Sequence, residues 1–170
     1  MQMSNHGRLQ EKRISNHLLL INVIGIILSA YAYHVSISKN ASPDYRALCD
    51  ISESMSCSKV LTSSYSTGFG FVSSLFGESS FLNQRNSFLG MIFYLLLFLL
   101  SFSDNPIICK LHFAFSIIAN ISSIYLACVL IILRDLCFVC ILTYVVNAIN
   151  YLLICKKINY LKDITNEKIE

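Results

Sequence analysis

Two cysteines three residues apart, Cys137 and Cys140, stand at the start of an apolar stretch that continues to Ile154. The stretch predicts a helix with Cys137 in its first turn and Cys140 one turn further in. A helix N-terminus carries partial positive charge and favours the thiolate, the form of cysteine that attacks disulfides and electrophiles. Tyr144 follows Cys140 by four residues and shares its helix face. The stretch therefore predicts a reactive dithiol with a phenol hydroxyl beside it.

Two other interpretations of this C-x-x-C pair compete with redox chemistry. Free cysteines are often buried as small apolar residues, so the pair could be inert. It could also be half of a zinc site, but zinc needs more ligands, and the sequence has no second C-x-x-C and no H-x-x-x-H. We therefore expect redox chemistry and no bound metal.

The composition is that of a small membrane protein that crosses the bilayer several times. Of the 170 residues, 55% are hydrophobic and only 14% are charged, whereas a soluble domain carries about 25% charged residues. The net charge of +3 is modest and gives no indication of nucleic-acid binding. The first apolar run is too long for the core of a cleaved signal peptide.

Four apolar runs can be distinguished: residues 17–37, 86–102, 113–133 and 136–154. About twenty apolar residues are needed to cross a bilayer, and the second run is short by that measure. We predict an all-α membrane protein, a four-transmembrane-helix bundle with one long loop, residues 36–85, between helices 1 and 2. Residues 17–155 form its single domain, and residues 1–16 and 156–170 are polar tails.

Small and polar residues mark the faces on which the helices pack. Gly25 and Ser29 form a small-xxx-small pair, which lets a neighbouring helix approach closely. Ser116, Asn120 and Ser123 lie along one stripe, which we predict faces the inside of the bundle, where polar side chains form hydrogen bonds between helices.

The long loop holds a second pair of cysteines, Cys49 and Cys57. Loops of this length usually carry function. We predict a short helix over residues 44–60, entered through Pro43, because proline suits the first position of a helix.

Lysine and arginine residues set the predicted orientation. The tails hold most of those near the membrane ends: Arg8, Lys12, Arg13, Lys156, Lys157, Lys162 and Lys168. The positive-inside rule then places both termini in the cytosol and the loop 36–85 in the lumen. With four spans, Cys49, Cys57, Cys137 and Cys140 all meet on the lumenal face, which is the oxidising side where disulfides persist.

Two cysteine pairs on one face predict electron transfer by thiol–disulfide exchange. A soluble donor reduces the loop pair, and the loop pair reduces the C-x-x-C pair. Because the second pair lies at membrane depth, the final acceptor should be apolar, and a quinone fits. The alternative is that two structural disulfides staple a lumenal loop.

Several segments resemble one known family: SAYAYHV (29–35), DYRALCD (44–50), SCSKV (56–60), GFG (68–70), LNQRNS (82–87), SIYLA (123–127) and DLCFVC (135–140). Together with Gly90, Phe93, Tyr94 and Tyr144, they are similar to the vitamin K epoxide reductase family. The resemblance covers roughly residues 22–150, and both cysteine pairs keep the family's spacing. Leu61, Leu89 and Tyr65 differ from the aromatic residues of vertebrate members, at positions that line or cover the family's pocket.

The resemblance implies a four-helix bundle in the endoplasmic reticulum membrane around a quinone pocket. It implies reduction of vitamin K 2,3-epoxide to the quinone, and of the quinone to the hydroquinone. The quinone is then the substrate, no cofactor is tightly bound, and the electron donor is a thioredoxin-like lumenal oxidoreductase.

The resemblance also assigns roles to six residues of this sequence. These are the substrate-attacking cysteine Cys140, its resolving partner Cys137, the relay pair Cys49 and Cys57, and the substrate hydrogen-bond donors Asn86 and Tyr144. Donors aimed at an oxygen that gains negative charge stabilise the transition state.

Two other functional classes fit the same residues. Bacterial relatives use these cysteines in the oxidising direction, as a quinone-linked thiol oxidase that supports disulfide formation. A non-enzymatic four-span scaffold is the other class, and it would tolerate serine at position 140.

Overall fold

The protein is all-helical in the parts that the computed structural model describes, which are residues 5–52, 55–72, 77 and 83–166. The helices are α1 (Asn5–Ala41), α2 (Cys57–Leu61), α3 (Asn86–Ser101), α4 (Pro106–Leu133) and α5 (Phe138–Asn166), with single 3₁₀ turns at Ser64–Ser66 and Gly68–Gly70. Within these residues the only β pairing is isolated bridges. The remaining parts of the predicted loop and tails lie outside the described residues.

Three of the helices are long and apolar enough to cross a membrane, within Leu9–Ala41, Pro106–Leu133 and Phe138–Lys162. The fourth apolar helix, α3, has 16 residues, which span about 24 Å against a hydrocarbon core of about 30 Å. The all-α membrane class is confirmed, and a fourth crossing by α3 stays a prediction.

Helix α1 packs against α3 through two glycines, as the small-residue pair predicts. A Cβ atom at Gly25 would lie 2.5 Å from Tyr94 Cδ1, and one at Gly90 would lie 2.9 Å from Ser29 Oγ. Carbon atoms in contact need about 3.5 Å or more. A larger side chain at either glycine would therefore push the helices apart.

The turns before α4 and α5 are set by local chemistry. Asn105 Oδ1 accepts a hydrogen bond from the Ile107 backbone N–H at 2.9 Å and caps α4, with Pro106 at the first helical position. Arg134 ends α4 in a left-handed conformation with φ 53°. Helix α5 begins at Phe138, so Cys137 is its N-cap, one residue before the first turn in which the sequence analysis placed it.

Both end helices extend into the predicted tails. Helix α1 begins at Asn5 and α5 continues to Asn166. Lys157, predicted as a charge of the cytosolic tail, is fully buried. Its Nζ atom lies 2.8 Å from Asp104 Oδ1 and donates to the Ser103 carbonyl at 2.9 Å, so α5 is bound to the turn between α3 and α4.

Candidate active site

All four predicted redox cysteines lie together at one end of the bundle. Cys49 is bonded to Cys57, and Cys137 to Cys140. Cys49, Cys57 and Cys137 are members of one buried apolar cluster, and Cys140 packs against it. The loop pair and the C-x-x-C pair are therefore neighbours in the fold, although about eighty residues separate them in sequence.

Two contacts dock the loop onto the start of α5. The backbone of Met55 forms an isolated parallel bridge with Leu136, the residue before Cys137. Lys59 Nζ lies 3.6 Å from Asp135 Oδ1. These contacts hold the loop disulfide beside the helix that carries the second disulfide.

The sulfur of Cys137 occupies the position of a helix cap. It accepts a hydrogen bond from the Cys140 backbone N–H at 3.3 Å, as a serine oxygen does in an ordinary N-cap. When the disulfide opens, this N–H and the partial positive charge of the helix end favour a thiolate at Cys137.

Asp50 organises the loop around the first disulfide. Its carboxylate accepts hydrogen bonds from the Ala47 N–H at 2.8 Å, the Ser58 N–H at 2.9 Å and the Ser56 hydroxyl at 2.9 Å, and from the Ser58 hydroxyl. The helix predicted over residues 44–60 is wrong: among the residues of that range that the structure describes, the helix begins only at Cys57, and it ends at Leu61. An aspartate that binds nearby backbone N–H groups offers the chain an alternative to a helix.

The same bonds make the loop sensitive to acid. Burial raises the pKa of Asp50, but the hydrogen bonds from Ser58, Ala47 and Ser56 outweigh it and lower the pKa from 3.8 to about 2. Because the pKa in the folded protein is depressed, the stabilisation is complete above about pH 4 and is lost as the pH falls towards 2. We expect reduction of Cys49–Cys57 by a phosphine to accelerate across this window.

An Asp50→Asn variant serves as the matched control in the phosphine experiment. An amide has one acceptor oxygen and no charge, so the variant should be reduced fast already at neutral pH and show little pH dependence between 4 and 2. A variant reduced as slowly as the unmodified protein would show that Asp50 does not hold the loop.

Beside the cysteine cluster is an apolar cavity of about 350 Å³ between α1, α3, α4 and α5. Cavities of about this size and larger hold small apolar ligands. Cys140, Tyr144 and Asn86 line this cavity and also a smaller one of about 80 Å³. Leu61 and Leu89 line the larger cavity. Of the two C-x-x-C sulfurs, the one predicted to attack the substrate is thus the one at the cavity wall.

Asn86 holds a short segment over the cavity. Its Nδ2 donates to the Tyr65 carbonyl at 2.7 Å, and its Oδ1 accepts from the Phe69 N–H at 2.9 Å. The Tyr125 hydroxyl donates to the Phe69 carbonyl at 2.9 Å. Phe69 adopts a left-handed conformation, φ 54°, which is rare for a bulky residue. We name residues 64–70 the lid segment.

This role of Asn86 could not be predicted from the sequence, because hydrogen bonds from a side chain to a distant loop leave no local sequence pattern. Its amide nitrogen carries two hydrogens, and among the described residues the Tyr65 carbonyl is the acceptor of one of them. The Gly68-Phe69-Gly70 motif was the one local indication of an unusual backbone here, and all three residues do have positive φ. Asn86 therefore positions the lid segment and also lines the cavity.

Tyr144 differs from Asn86 in having its polar atom free. Among the described residues none forms a hydrogen bond with the Tyr144 hydroxyl. Tyr144 lines the cavity together with Cys140, its neighbour one turn earlier. A ligand oxygen in the cavity is thus the natural acceptor for this hydroxyl.

A second polar wall of the cavity was only partly predicted. The Tyr94 hydroxyl donates to Asn147 Oδ1 at 2.7 Å, and Asn147 Nδ2 donates to Ser123 Oγ at 2.8 Å. All three residues line the cavity. The sequence predicted an inward face for Ser123, whereas Tyr94 was singled out only as part of the family resemblance. Tyr94 follows Gly90 by one helical turn, and this spacing could have indicated that Tyr94 lies on the same face of α3 as the glycine.

Comparison with known proteins gives one consistent result. Residues 17–155 match the model of the vitamin K epoxide reductase family. The chain is 40% identical over 131 residues to vitamin K epoxide reductase complex subunit 1 of Rattus norvegicus, covering 76% of this chain and 81% of the rat protein. It is 40% identical over 130 residues to the Mus musculus protein of the same name, with coverage of 76% and 81%. The chain therefore belongs to the vitamin K epoxide reductase family and is an oxidoreductase of that type.

Proposed function

We propose that this protein reduces vitamin K 2,3-epoxide to vitamin K quinone and then to the hydroquinone. The observation that carries the proposal is the placement of Cys140 and Tyr144 on the wall of an apolar cavity, directly beside a cluster that contains both cysteine pairs. The electrons reside in the thiols, so the quinone is a substrate and no tightly bound cofactor is required.

Cys140, Tyr144 and Cys137 take successive roles in epoxide reduction. The Cys140 thiolate attacks a carbon of the epoxide, the ring opens, and Tyr144 donates a hydrogen bond to the oxygen that gains charge. Cys137 then attacks Cys140 Sγ, and the electron pair of the broken carbon–sulfur bond expels the oxygen as water. Two thiols are oxidised to one disulfide, and the epoxide becomes the quinone.

The loop pair returns the electrons. A dithiol donor, for which a thioredoxin-like lumenal oxidoreductase is the natural class, reduces Cys49–Cys57, and Cys57 then attacks Cys137. Both loop cysteines share a cluster with Cys137, and Cys57, which is 0% exposed against 7% for Cys49, is the more deeply buried of the two, which supports this order.

The proposed setting is the endoplasmic reticulum membrane, crossed four times, with the loop 36–85 in the lumen. Both termini are then cytosolic, in keeping with the lysines and arginines near the chain ends. The short helix α3 crosses with the help of the polar residues that flank it, which reach the interface.

Labelling from the two sides tests this orientation. We expect an impermeant maleimide to modify Cys49 and Cys57 in reduced vesicles only when it reaches the lumen, because both residues belong to the lumenal loop. Mass spectrometry of the labelled peptides reads the result. Modification of Cys57 from the cytosolic side of sealed vesicles would reverse the topology.

The activity itself is tested with membranes, dithiothreitol and vitamin K epoxide. We expect the epoxide to be converted to quinone and hydroquinone, with electrons flowing from thiol to quinone. Chromatography of the products measures the conversion. Cys128 is exposed on α4 outside the cluster, so Cys128→Ser is the control that keeps full turnover. Reduction of the quinone coupled to disulfide formation in a client protein, with no turnover of the epoxide, would instead assign the protein to the thiol oxidases.

A further inference from the structure

Two apolar side chains project from the surface beside the loop disulfide. Leu48 is 93% exposed and Ile51 is 70% exposed. Ala47 and Cys49, on either side of Leu48, are buried. The Ala47 N–H is also bonded to Asp50. The two exposed side chains therefore stand on a fixed base, and their exposure costs free energy that nothing in the described fold offsets.

This apolar surface continues onto the start of α5. The Ile51 N–H donates to the Met55 carbonyl at 3.0 Å, and Met55 is bridged to Leu136, whose side chain is half-exposed. We name Leu48, Ile51, Met55 and Leu136 the apolar strip. It connects the surface of the loop disulfide with the residue next to Cys137.

The two cysteines of the loop disulfide are not equally exposed. Cys57 is 0% exposed and Cys49 is 7% exposed. An attacking thiolate that comes from outside therefore meets Cys49, and the inward-facing Cys57 becomes the leaving group. Cys49, the more exposed of the two cysteines, is also the one that directly follows Leu48 in the chain.

We propose that the apolar strip is the docking surface for the electron donor, a dithiol protein whose reactive cysteine is itself surrounded by apolar surface. The inference rests on the proposed function. A donor thiolate attacks Cys49 Sγ, the Cys49–Cys57 bond breaks, and Cys57 leaves as a thiolate with the electron pair. The donor's second thiolate attacks the donor sulfur of the mixed disulfide and releases Cys49. The donor loses two electrons and its two thiol protons, which Cys49 and Cys57 receive.

Charges around the strip favour a protein over the bilayer as its occupant. Asp44 and Arg46 are exposed, and the Asp50 carboxylate lies between Leu48 and Ile51 in the chain. If the strip inserted into the hydrocarbon core of the bilayer, these charges would enter it as well, at a high cost in free energy. A protein partner covers the apolar side chains and leaves the charges at a hydrated rim, the usual anatomy of an interface.

The test compares a protein donor with a small one, on the same purified full-length protein in nanodiscs. Reduced thioredoxin is the protein donor and dithiothreitol the small one, and the rate of vitamin K quinone reduction is measured against donor concentration. For a Leu48→Ser/Ile51→Ser double variant we expect kcat/KM for thioredoxin to fall about 10- to 100-fold, the size expected when apolar side chains leave an interface. The value for dithiothreitol should be unchanged.

Ile107→Ser is the matched control, because Ile107 is 74% exposed but lies on α4 at the opposite end of the bundle. It should leave both donors unaffected. Equal rates for the double variant and the unmodified protein with thioredoxin would overturn the proposal. An equal loss of rate with both donors would also overturn it, because it would indicate a defect in loop folding or a contact with the bilayer. A failure of thioredoxin to reduce the unmodified protein would overturn it as well. A failure of dithiothreitol with the unmodified protein would instead contradict the proposed function.

Discussion

The Cys140→Ser variant should lose quinone reduction completely and accumulate a disulfide between Cys57 and Cys137. Cys140 is the sulfur at the cavity wall, so its removal leaves no thiol to attack the substrate. Its removal also leaves Cys137 without the partner that resolves a mixed disulfide. Cys57 and Cys137 are both fully buried in the same cluster. Mass spectrometry of alkylated, non-reduced peptides would detect the cross-linked pair. Cys49 would be found alkylated, because its thiol is free in this variant.

Each alternative result has a distinct meaning. A dominant Cys49–Cys137 link would reverse the order of the relay. The absence of any cross-link, with turnover retained, would favour two independent structural disulfides. Cys128→Ser again serves as the control, because it removes a thiol of the same helix bundle without touching either pair.

The second large effect is expected for Tyr144→Phe, which removes one hydroxyl and keeps the ring. If the hydroxyl stabilises the opening epoxide oxygen, its loss lowers the rate by roughly 100- to 1,000-fold in a dry site, and by less where water replaces it. Turnover of the epoxide is measured with dithiothreitol as donor. The exchange of both cysteine pairs with dithiothreitol should stay normal, because the hydroxyl bonds to none of the described residues.

Tyr151→Phe is the matched control for this variant. Tyr151 lies on the same helix, two turns further on, and its ring stacks on Phe113 at a centroid distance of 5.6 Å. It is not among the residues that line the cavity. Unchanged epoxide turnover in Tyr144→Phe would mean that the phenol does not contact the reacting oxygen.

Features that depend on local chemistry could be predicted from the sequence. The apolar runs predicted the long helices, and Gly25 with Ser29 predicted the close approach of α1 to α3. The cysteine spacing gave two pairs, which lie together as expected.

Features that depend on contacts between distant segments could not be predicted. The bonds from Asn86 to Tyr65 and Phe69 join residues 17 to 21 positions apart, and neither periodicity nor composition reports such a pair. The burial of Lys157 is another case. A lysine near the end of an apolar run indicates a cytosolic tail, and only the position of Asp104 in the folded bundle makes it an interior residue.

The burial of Lys157 also sets an order on biosynthesis. The chain is made from its N-terminus, and Lys157 comes 53 residues after Asp104. Until the ribosome has made about two thirds of α5, the Ser101 and Ser103 carbonyls and the Asp104 carboxylate lack their cationic partner. This end of the bundle therefore cannot close until after all four redox cysteines have been synthesised.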